Sequence, residues 1–215
     1  MMVTVLAIGA HPDDISLGCS ATLLKHKKNG AKIYILVLSK GEASGDAEIR
    51  EKESRRSAEL IGAESIFFGG LEDTKIDDSI KTIMAIERII DQVNPDIIYT
   101  HTYKDTHQDH RGTAYATLSA GRRCKKIFMY ESPTTFKEFS PQLYVDIEKD
   151  FEQKKEITRS FSSQSNKEWW ARANRAAMAL EGLAAYRGFQ AGVGVAEAFE
   201  VGKLVITANE MIYHK

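Results

Sequence analysis

The sequence predicts an α/β fold: a doubly wound, Rossmann-like, mostly parallel sheet flanked by helices. Along the first 130 residues, short apolar runs alternate with longer polar stretches of helical spacing, as in parallel strands joined by helical crossovers. The chain has 215 residues, 43% hydrophobic and 27% charged, which suits one globular domain. We expect a single domain over residues 1–215, with an α/β core at 1–131. A C-terminal part at 132–215 would pack on the core and shape the substrate site.

Five short apolar runs are the predicted strands of the core. Each is rich in β-branched or aromatic residues and is nearly continuous, as expected for strands buried on both faces. In chain order they are Val3–Ile8, Ile33–Leu38, Ile66–Phe68, Ile97–Tyr99 and Ile127–Tyr130.

The polar stretches between these strands are predicted helices. The clearest is Asp77–Val93, where apolar residues recur on one helical face and Asn94-Pro95 ends the run. The other predicted helices of the core are Ser16–Lys28, Ala47–Ile61 and Arg111–Arg123.

After Glu131 the alternating pattern weakens. Trp169 and Trp170 could offer a surface for stacking a sugar, but adjacent helical residues do not share a face. The expected elements are a strand at Leu143–Ile147, a helix at Glu148–Arg159, a polar loop at Ser160–Asn166, a helix at Lys167–Leu180, a stretch interrupted by glycines at Gly182–Gly194, and one or two strands at Val195–Thr207.

Composition excludes several classes of protein. The 29 basic and 30 acidic residues nearly cancel, so no basic surface predicts nucleic-acid binding. No apolar run is long enough to span a membrane, and Met1–Gly9 lacks the features of a secretory signal. Two cysteines cannot form a disulfide framework, which predicts a cytoplasmic protein. The phosphate-binding patterns GxxxxGK[ST] and GxGxxG are absent, which disfavours a nucleotide cofactor.

The first segment that carries chemistry is Ala10–Asp14, directly after the first predicted strand. Sheets of this class bind ligands at the carboxyl ends of their strands. A single turn, stiffened by Pro12, lets His11 and Asp14 reach one point, and Asp13 would then be catalytic or would support the ligands. The alternative is that one of the two aspartates only caps the next helix.

The second segment is Tyr99–Arg111, after the fourth predicted strand. It holds three histidines and two aspartates. A single loop histidine is usually solvated, but a cluster of this density indicates a metal or catalytic site. The fourth strand can lie beside the first, so the two segments could face each other. The five residues are His101, Asp105, His107, Asp109 and His110.

Together the segments offer the ligands of an open metal site. His11, Asp14 and one histidine of the second segment would hold Zn²⁺ with a fourth position free, the pattern of catalytic zinc. Fe²⁺ could use the same ligands. Asp13 is the best-placed general base, and a histidine that does not bind the metal could stabilise an oxyanion and protonate a leaving amine. These are the parts needed for amide or ester hydrolysis.

These residues resemble the PIG-L/LmbE-type zinc-dependent de-N-acetylases. The AHPDD signature, with its following leucine-glycine pair, matches Ala10–Asp14 and Leu17-Gly18, and the HxDH signature matches His107–His110. Weaker matches extend as far as Ala196–Phe199, so the resemblance covers essentially the whole chain.

The resemblance implies a role for each matching residue. By this likeness, His11, Asp14 and His110 are the zinc ligands, and Asp13 is the general base. The same likeness implies a homo-oligomer that removes acetyl groups from N-acetylglucosamine units of small glycoconjugates.

The resemblance also implies three supporting roles. His107 would be the protonated partner that stabilises the oxyanion, and Asp109 would orient it. Arg50 would bind substrate, as suits sugar hydroxyls or a phosphate. The chain departs from the family at Ile15-Ser16 and Ser20-Ala21, where other members often have an acidic residue and a Gly-Gly pair. This departure removes no expected ligand or base, but it leaves the substrate subgroup open.

We therefore predict a zinc-dependent N-deacetylase for a small acetylated amino-sugar substrate. Two alternatives stay open. One is an amidase that cleaves a thiol conjugate or another acylated amine at the same site. The other is a metal- or ligand-binding α/β protein without hydrolytic activity, against which the presence of Asp13 and His107 argues. A phosphoesterase more often uses two metals, and the sequence supplies ligands for one.

Overall fold

A computed structural model describes residues 2–165 and 175–206. Its centre is a seven-stranded sheet with the order β3-β2-β1-β4-β5-β7-β6. The first five strands are parallel, and β7 runs antiparallel to both β5 and β6. This confirms the predicted fold class. The strands are β1 Thr4–Gly9, β2 Lys32–Ser39, β3 Ser65–Leu71, β4 Ile97–His101, β5 Lys126–Tyr130, β6 Leu143–Asp146 and β7 Ala196–Leu204.

The helices of the core follow the predicted order, with shifts at their ends. The helix predicted over Ser16–Lys28 is two helices separated at Cys19, whose φ of −147° and ψ of 13° are not helical. The helix predicted from Asp77 begins later, at Ile80, and ends where Asn94 adopts a left-handed φ of 46°. The helices are α1 Asp14–Gly18, α2 Ser20–Lys28, α3 Ala47–Ile61, α4 Ile80–Val93 and α5 Gln108–Ala120.

Two apolar clusters cover the two faces of the sheet. One face packs against α1, α2 and α3, through residues such as Leu23 and Ile61. The other packs against α4 and α5, through residues such as Ile86 and Ala116. Strands β1, β2, β4 and β5 are mostly buried between them, which explains why their sequences are continuous apolar runs rather than alternating ones. The edge strand β3 is only partly buried.

The C-terminal residues extend the sheet rather than only packing on it. β7 is a single strand between β5 and β6, and helix α8, Arg175–Ala191, runs through most of the stretch predicted to be interrupted by glycines. Part of the predicted loop Ser160–Asn166 is a short helix, and the predicted helix Lys167–Leu180 lies partly outside the described residues, as do Trp169 and Trp170. The remaining helices are α6 Phe151–Arg159 and α7 Ser162–Ser165.

The sheet order places the two chemical segments side by side. β1 pairs with β4 in parallel, with Val5 opposite Ile97, so the loops that follow these strands leave the same edge of the sheet. Within residues 2–165 and 175–206, no helix combines the length and apolarity needed to cross a membrane.

Candidate active site

The segments that follow all five parallel strands line a cavity of about 500 Å³ at the carboxyl edge of the sheet. Both predicted segments contribute to it, as expected for this sheet order. Its lining includes His11, Asp13, Asp14, Arg50, Asp73, His107 and His110. The structure therefore brings together six of the seven predicted site residues around one cavity, and the seventh, Asp109, lies buried behind His11.

Asp14 lies at the centre of the buried part of the site. Its Oδ2 accepts a hydrogen bond from the backbone N–H of His11 at 2.7 Å and lies 2.9 Å from Nε2 of His101. Its Oδ1 lies 3.3 Å from Nε2 of His110. Burial raises the pKa of Asp14, but the charges of His110, His101 and His11 outweigh burial and hold the pKa well below its usual value. The carboxylate is therefore ionised and available as a ligand.

His11 directs its two ring nitrogens to different partners. Nδ1 lies 3.4 Å from Oδ2 of Asp14, whereas Nε2 lies 3.1 Å from carboxylate oxygens of both Asp73 and Asp109. Burial lowers the pKa of His11, but Asp14 and these two carboxylates raise it well above its usual value.

His110, on the first turn of α5, also directs its two ring nitrogens to different carboxylates. Nε2 faces Asp14, and Nδ1 lies 3.1 Å from Oδ2 of Asp105. Burial lowers the pKa of His110, but Asp14 and Asp105 outweigh it and raise the pKa to about 9. Histidines that bind metals commonly place their second ring nitrogen against a carboxylate in this way.

The donor atoms fit a divalent cation. Nδ1 of His11 and Nε2 of His110 both face the Asp14 carboxylate, which gives the two nitrogens and one oxygen expected of an open site. Among the residues that the structure describes, three overlapping groups have ligand atoms within 4.8 Å of one another: His11, His107 and His110; Asp14, His101 and His110; and His11, Asp73 and Asp109.

His107 caps the N-terminus of α5. Its Nδ1 accepts a hydrogen bond from the backbone N–H of Asp109 at 3.2 Å, so its remaining proton is on Nε2. Burial, followed by the charges of His110 and His11, lowers the pKa of His107. This cap favours a neutral ring, because protonation of Nδ1 would break it. The protonated imidazolium that the resemblance implies stays a prediction. The ring can still donate from Nε2.

The resemblance implied that Asp109 orients His107, but the Asp109 carboxylate contacts other groups. Its fully buried carboxylate accepts hydrogen bonds from the N–H groups of Thr74 at 2.7 Å and Ile76 at 3.2 Å, and it contacts His11. Thr74 has a left-handed φ of 70°, which is uncommon for a residue with a β-branched side chain. Asp109 therefore positions His11 and the loop after β3, and only its backbone N–H contacts the His107 ring.

Asp13 and Arg50 form an ion pair at the wall of the cavity. Nη2 of Arg50 donates to Oδ1 of Asp13 at 2.9 Å, and Nη1 donates to the carbonyl of Gly41 and to the hydroxyl of Ser44. Arg50 is only 2% exposed, and its two terminal nitrogens donate to the protein, which favours a role in positioning Asp13. Because Arg50 also lines the cavity and its Nε has no hydrogen-bond partner among the described residues, substrate binding by Arg50 stays a prediction. Asp13 occupies the cap position of α1, but its side chain makes no capping hydrogen bond.

Three buried residues of the site had no assigned role or only a minor one in the sequence. His101 was predicted at most to line the cavity, but it contacts Asp14. Its pKa is lowered to about 4, mainly by burial. Asp105 contacts His110, and Asp73 contacts His11. Asp73 follows β3, so the rule that ligands bind at the carboxyl ends of parallel strands could have indicated it.

This geometry occurs in a chain with clear relatives. Residues 6–121 match the PIG-L family, described as GlcNAc-PI de-N-acetylase. The uncharacterized deacetylase YaiS of Escherichia coli (strain K12) is 34% identical over 154 residues, which cover 68% of this chain and 83% of the relative. The diacetylchitobiose deacetylase of Thermococcus kodakarensis is 27% identical over 128 residues, 54% of this chain and 48% of the relative.

The fold also matches a solved structure. The N,N'-diacetylchitobiose deacetylase of Pyrococcus horikoshii superimposes with a TM-score of 0.83 at 23% identity, over 92% of this chain and 83% of that chain. The family match covers more than half of the sequence and includes both chemical segments. The family indicated by the two signatures is therefore confirmed: this chain belongs to the PIG-L family of deacetylases.

Proposed function

We propose that this deacetylase is a zinc-dependent hydrolase that removes the N-acetyl group from an N-acetylglucosamine-like unit of a small glycoside or sugar conjugate. The observation that carries the proposal is that two adjacent carboxylates differ in their exposure to the cavity. Asp14 is buried among three histidines, whereas the Asp13 side chain is 24% exposed at the cavity. This contrast supports a cation-binding role for Asp14 and a proton-transfer role for Asp13.

His11, Asp14 and His110 are the proposed zinc ligands. Bound zinc would lower the pKa of water to about 7 and polarise the acyl oxygen. Asp13, held by Arg50, would take the proton of the attacking water as general base. The Nε2–H of His107 would donate to the acyl oxygen as negative charge develops there.

The C-terminal part contributes to the same cavity. Ser132, Pro133, Thr134 and Gln164 line it together with the proposed metal ligands, which supports our proposal that residues 132–215 shape the substrate site of a single domain. The free cysteines Cys19 and Cys124 fit a reducing compartment, so we propose a cytoplasmic location. We also propose a homo-oligomer, which light scattering of the purified protein would test.

An acetate-release assay tests the proposed reaction. Purified protein loaded with Zn²⁺ should release acetate from N-acetylglucosamine and its glycosides, and a chelator should abolish the release. A parallel panel of amines acylated with larger acids separates a deacetylase from a broader amidase. Zinc binding without release of any acid would instead support a binding protein and contradict the proposal.

A further inference from the structure

A second groove, of about 740 Å³, lies beside the catalytic cavity. It is formed between the segment that follows β5 and the helix α8. Four aromatic residues contribute to its lining: Phe136, Phe139, Tyr144 and Tyr186. None of them is needed for the proposed hydrolytic chemistry.

The groove and the catalytic cavity share a wall. Ser132 and Pro133 line both spaces. Asp105 fixes this wall, because its carboxylate accepts hydrogen bonds from the hydroxyls of Ser132 at 2.5 Å and Thr134 at 2.8 Å. The same carboxylate lies 3.1 Å from Nδ1 of His110. The position of the groove is therefore set relative to the proposed metal ligands, and a molecule that extends from the cavity over this wall enters the groove.

The groove presents flat apolar rings beside hydrogen-bonding groups. Phe136 is 43% exposed and Tyr186 is 55% exposed. Next to them, the hydroxyl of Tyr186 accepts a hydrogen bond from Gln190, whose amide oxygen accepts one from Arg187. Arg187 also forms a bidentate ion pair with Glu131, with both N–O distances 2.6 Å. An alkyl chain would cover this edge without a hydrogen bond to the Tyr186 O–H, which accepts from Gln190 and can still donate, whereas a sugar ring offers both an apolar face and a rim of hydroxyls.

On these grounds, and resting on the proposed function, we propose that the groove binds the portion of the substrate beyond the acetylated sugar, and that this portion is a second sugar ring. The acetylated unit would occupy the catalytic cavity, and the second ring would cross Ser132 and Pro133 to lie against Phe136 and Tyr186.

Kinetics with one-ring and two-ring substrates test the proposal. The wild-type protein should deacetylate N,N'-diacetylchitobiose with a higher kcat/KM than N-acetylglucosamine. Phe136→Ala and Tyr186→Ala should each lower kcat/KM for the disaccharide roughly tenfold, as expected for loss of an aromatic contact, and leave the monosaccharide unchanged. Phe189→Ala is the matched control, because Phe189 is on the same helix, is 85% exposed and is outside the groove. Equal losses on both substrates, or none, would overturn the proposal.

A binding measurement separates failure of the groove from failure of the proposed function. Calorimetric titration of the zinc-loaded protein with N,N'-diacetylchitobiose, N-acetylglucosamine and the octyl glycoside of N-acetylglucosamine needs no turnover. We expect the disaccharide to bind most tightly and to lose affinity in Tyr186→Ala but not in Phe189→Ala. Absence of acetate release together with this pattern would contradict only the proposed function. Tightest binding of the octyl glycoside, lost in Tyr186→Ala, would indicate an alkyl chain and overturn the sugar assignment.

Discussion

At the scale of single residues, the aspartates of the site differ in how many polar partners they have and in whether they face the cavity. Asp14 and Asp109 are buried, and each has three or more polar partners. Asp13 has one side-chain partner, Arg50, and remains partly exposed. A group that accepts and returns a proton must reach the substrate, so this contrast favours Asp13 over its neighbours as the base.

Replacement of Asp13 by asparagine should abolish most turnover without loss of metal. Loss of a general base typically lowers rates by roughly 10² to 10⁴-fold, so kcat for acetate release should fall by that order. Zinc content, measured by elemental analysis of the purified variant, should equal that of the wild type. Asp14→Asn is the comparison: it should lose zinc as well as activity. Turnover close to the wild-type level in Asp13→Asn would contradict the assigned base.

Arg50 gives a prediction that distinguishes positioning from substrate binding. Because its guanidinium holds Asp13 and the Gly41 carbonyl, Arg50→Met should lower kcat, roughly tenfold or more, with little change in KM. A substrate-binding arginine would instead raise KM. Arg55→Met, on the exposed side of the same helix, is the control and should leave both constants unchanged. A rise in KM alone would support substrate binding by Arg50, the role that the resemblance implied.

The sequence could indicate which residues gather at the site, but not how each ring is used. Strand order and the two motifs are enough to place His11, Asp14 and His110 together. The cap that favours a neutral His107 ring depends on a backbone N–H of α5 that only the folded helix presents. The burial of Arg50 likewise depends on the turn at Gly41 and Ser44, which the sequence does not specify.

At the scale of secondary-structure elements, close approaches between backbones hold the site loops in place. A Cβ atom at Gly112 of α5 would lie 2.2 Å from the carbonyl oxygen of Ile76. The loop that it would displace donates two N–H groups to Asp109. Glycine at this position therefore allows α5 to lie against the loop after β3.

Gly112→Ala should weaken both the fold and the metal site. Overpacking of this kind typically costs roughly 1–3 kcal/mol, which urea denaturation would measure, and zinc affinity should fall because the support of His11 through Asp109 is disturbed. Gly182→Ala on α8 is the matched control, since a Cβ there has no heavy atom within 4 Å. It should leave stability unchanged or raise it, because alanine favours helices. Equal stability of the two variants would argue against the close approach.

A buried ion pair connects β7 and α6 to the break between α1 and α2. Glu197 accepts hydrogen bonds from the first-turn N–H groups of Ala21 at 3.1 Å and Thr22 at 2.8 Å, and it pairs with Lys154. Lys154 also donates to the carbonyl of Leu17 at 2.6 Å. The pair thereby fixes the end of α1, the helix that begins at Asp14. The local sequence predicts one continuous helix here, because the residue that caps the start of α2, Glu197, is 175 residues away along the chain.

Breaking this pair should destabilise the protein far more than breaking a surface pair. Glu197→Gln or Lys154→Met leaves one buried charge without its partner, which typically costs about 3–5 kcal/mol. The double variant should recover part of the loss, as chemical denaturation in a double-mutant cycle would show. Lys27→Met and Glu64→Gln, at an exposed pair, should leave the midpoint unchanged. A loss in the double variant equal to the sum of the single losses would show that the two residues do not act as a pair.

At the scale of the whole molecule, the alternation of apolar and polar stretches was sufficient to predict the parallel half of the sheet. Five parallel strands and the pairing of β1 with β4 follow from it. The C-terminal strands were harder to place, because β6 and β7 are antiparallel strands whose position depends on the edge left free by β5. That same extension brings α8 and the segment after β5 to the edge where the catalytic cavity opens.

Removal of the metal should affect the whole domain as well as the reaction. The candidate site joins loops from three strands and collects four buried carboxylates, Asp14, Asp73, Asp105 and Asp109, whose repulsion a divalent cation would offset. A cation that binds only the folded state stabilises it by about 2.7 kcal/mol at a hundredfold excess over its Kd. For a chain of this size, about 2.7 kcal/mol corresponds to roughly 5–10 °C in Tm.

We therefore expect a chelator to abolish acetate release and to lower Tm by that amount, and added Zn²⁺ to restore both. Differential scanning calorimetry at matched protein concentration measures the shift. His110→Ala removes one proposed ligand and should lose the response of Tm to zinc, whereas His26→Ala, a histidine whose Nε2 contacts Tyr99 outside the cavity, should retain it. An equal zinc-dependent rise in Tm for His110→Ala and the wild type would mean that the cation binds elsewhere on the chain, and that the cluster of histidines after β4 is not the metal centre.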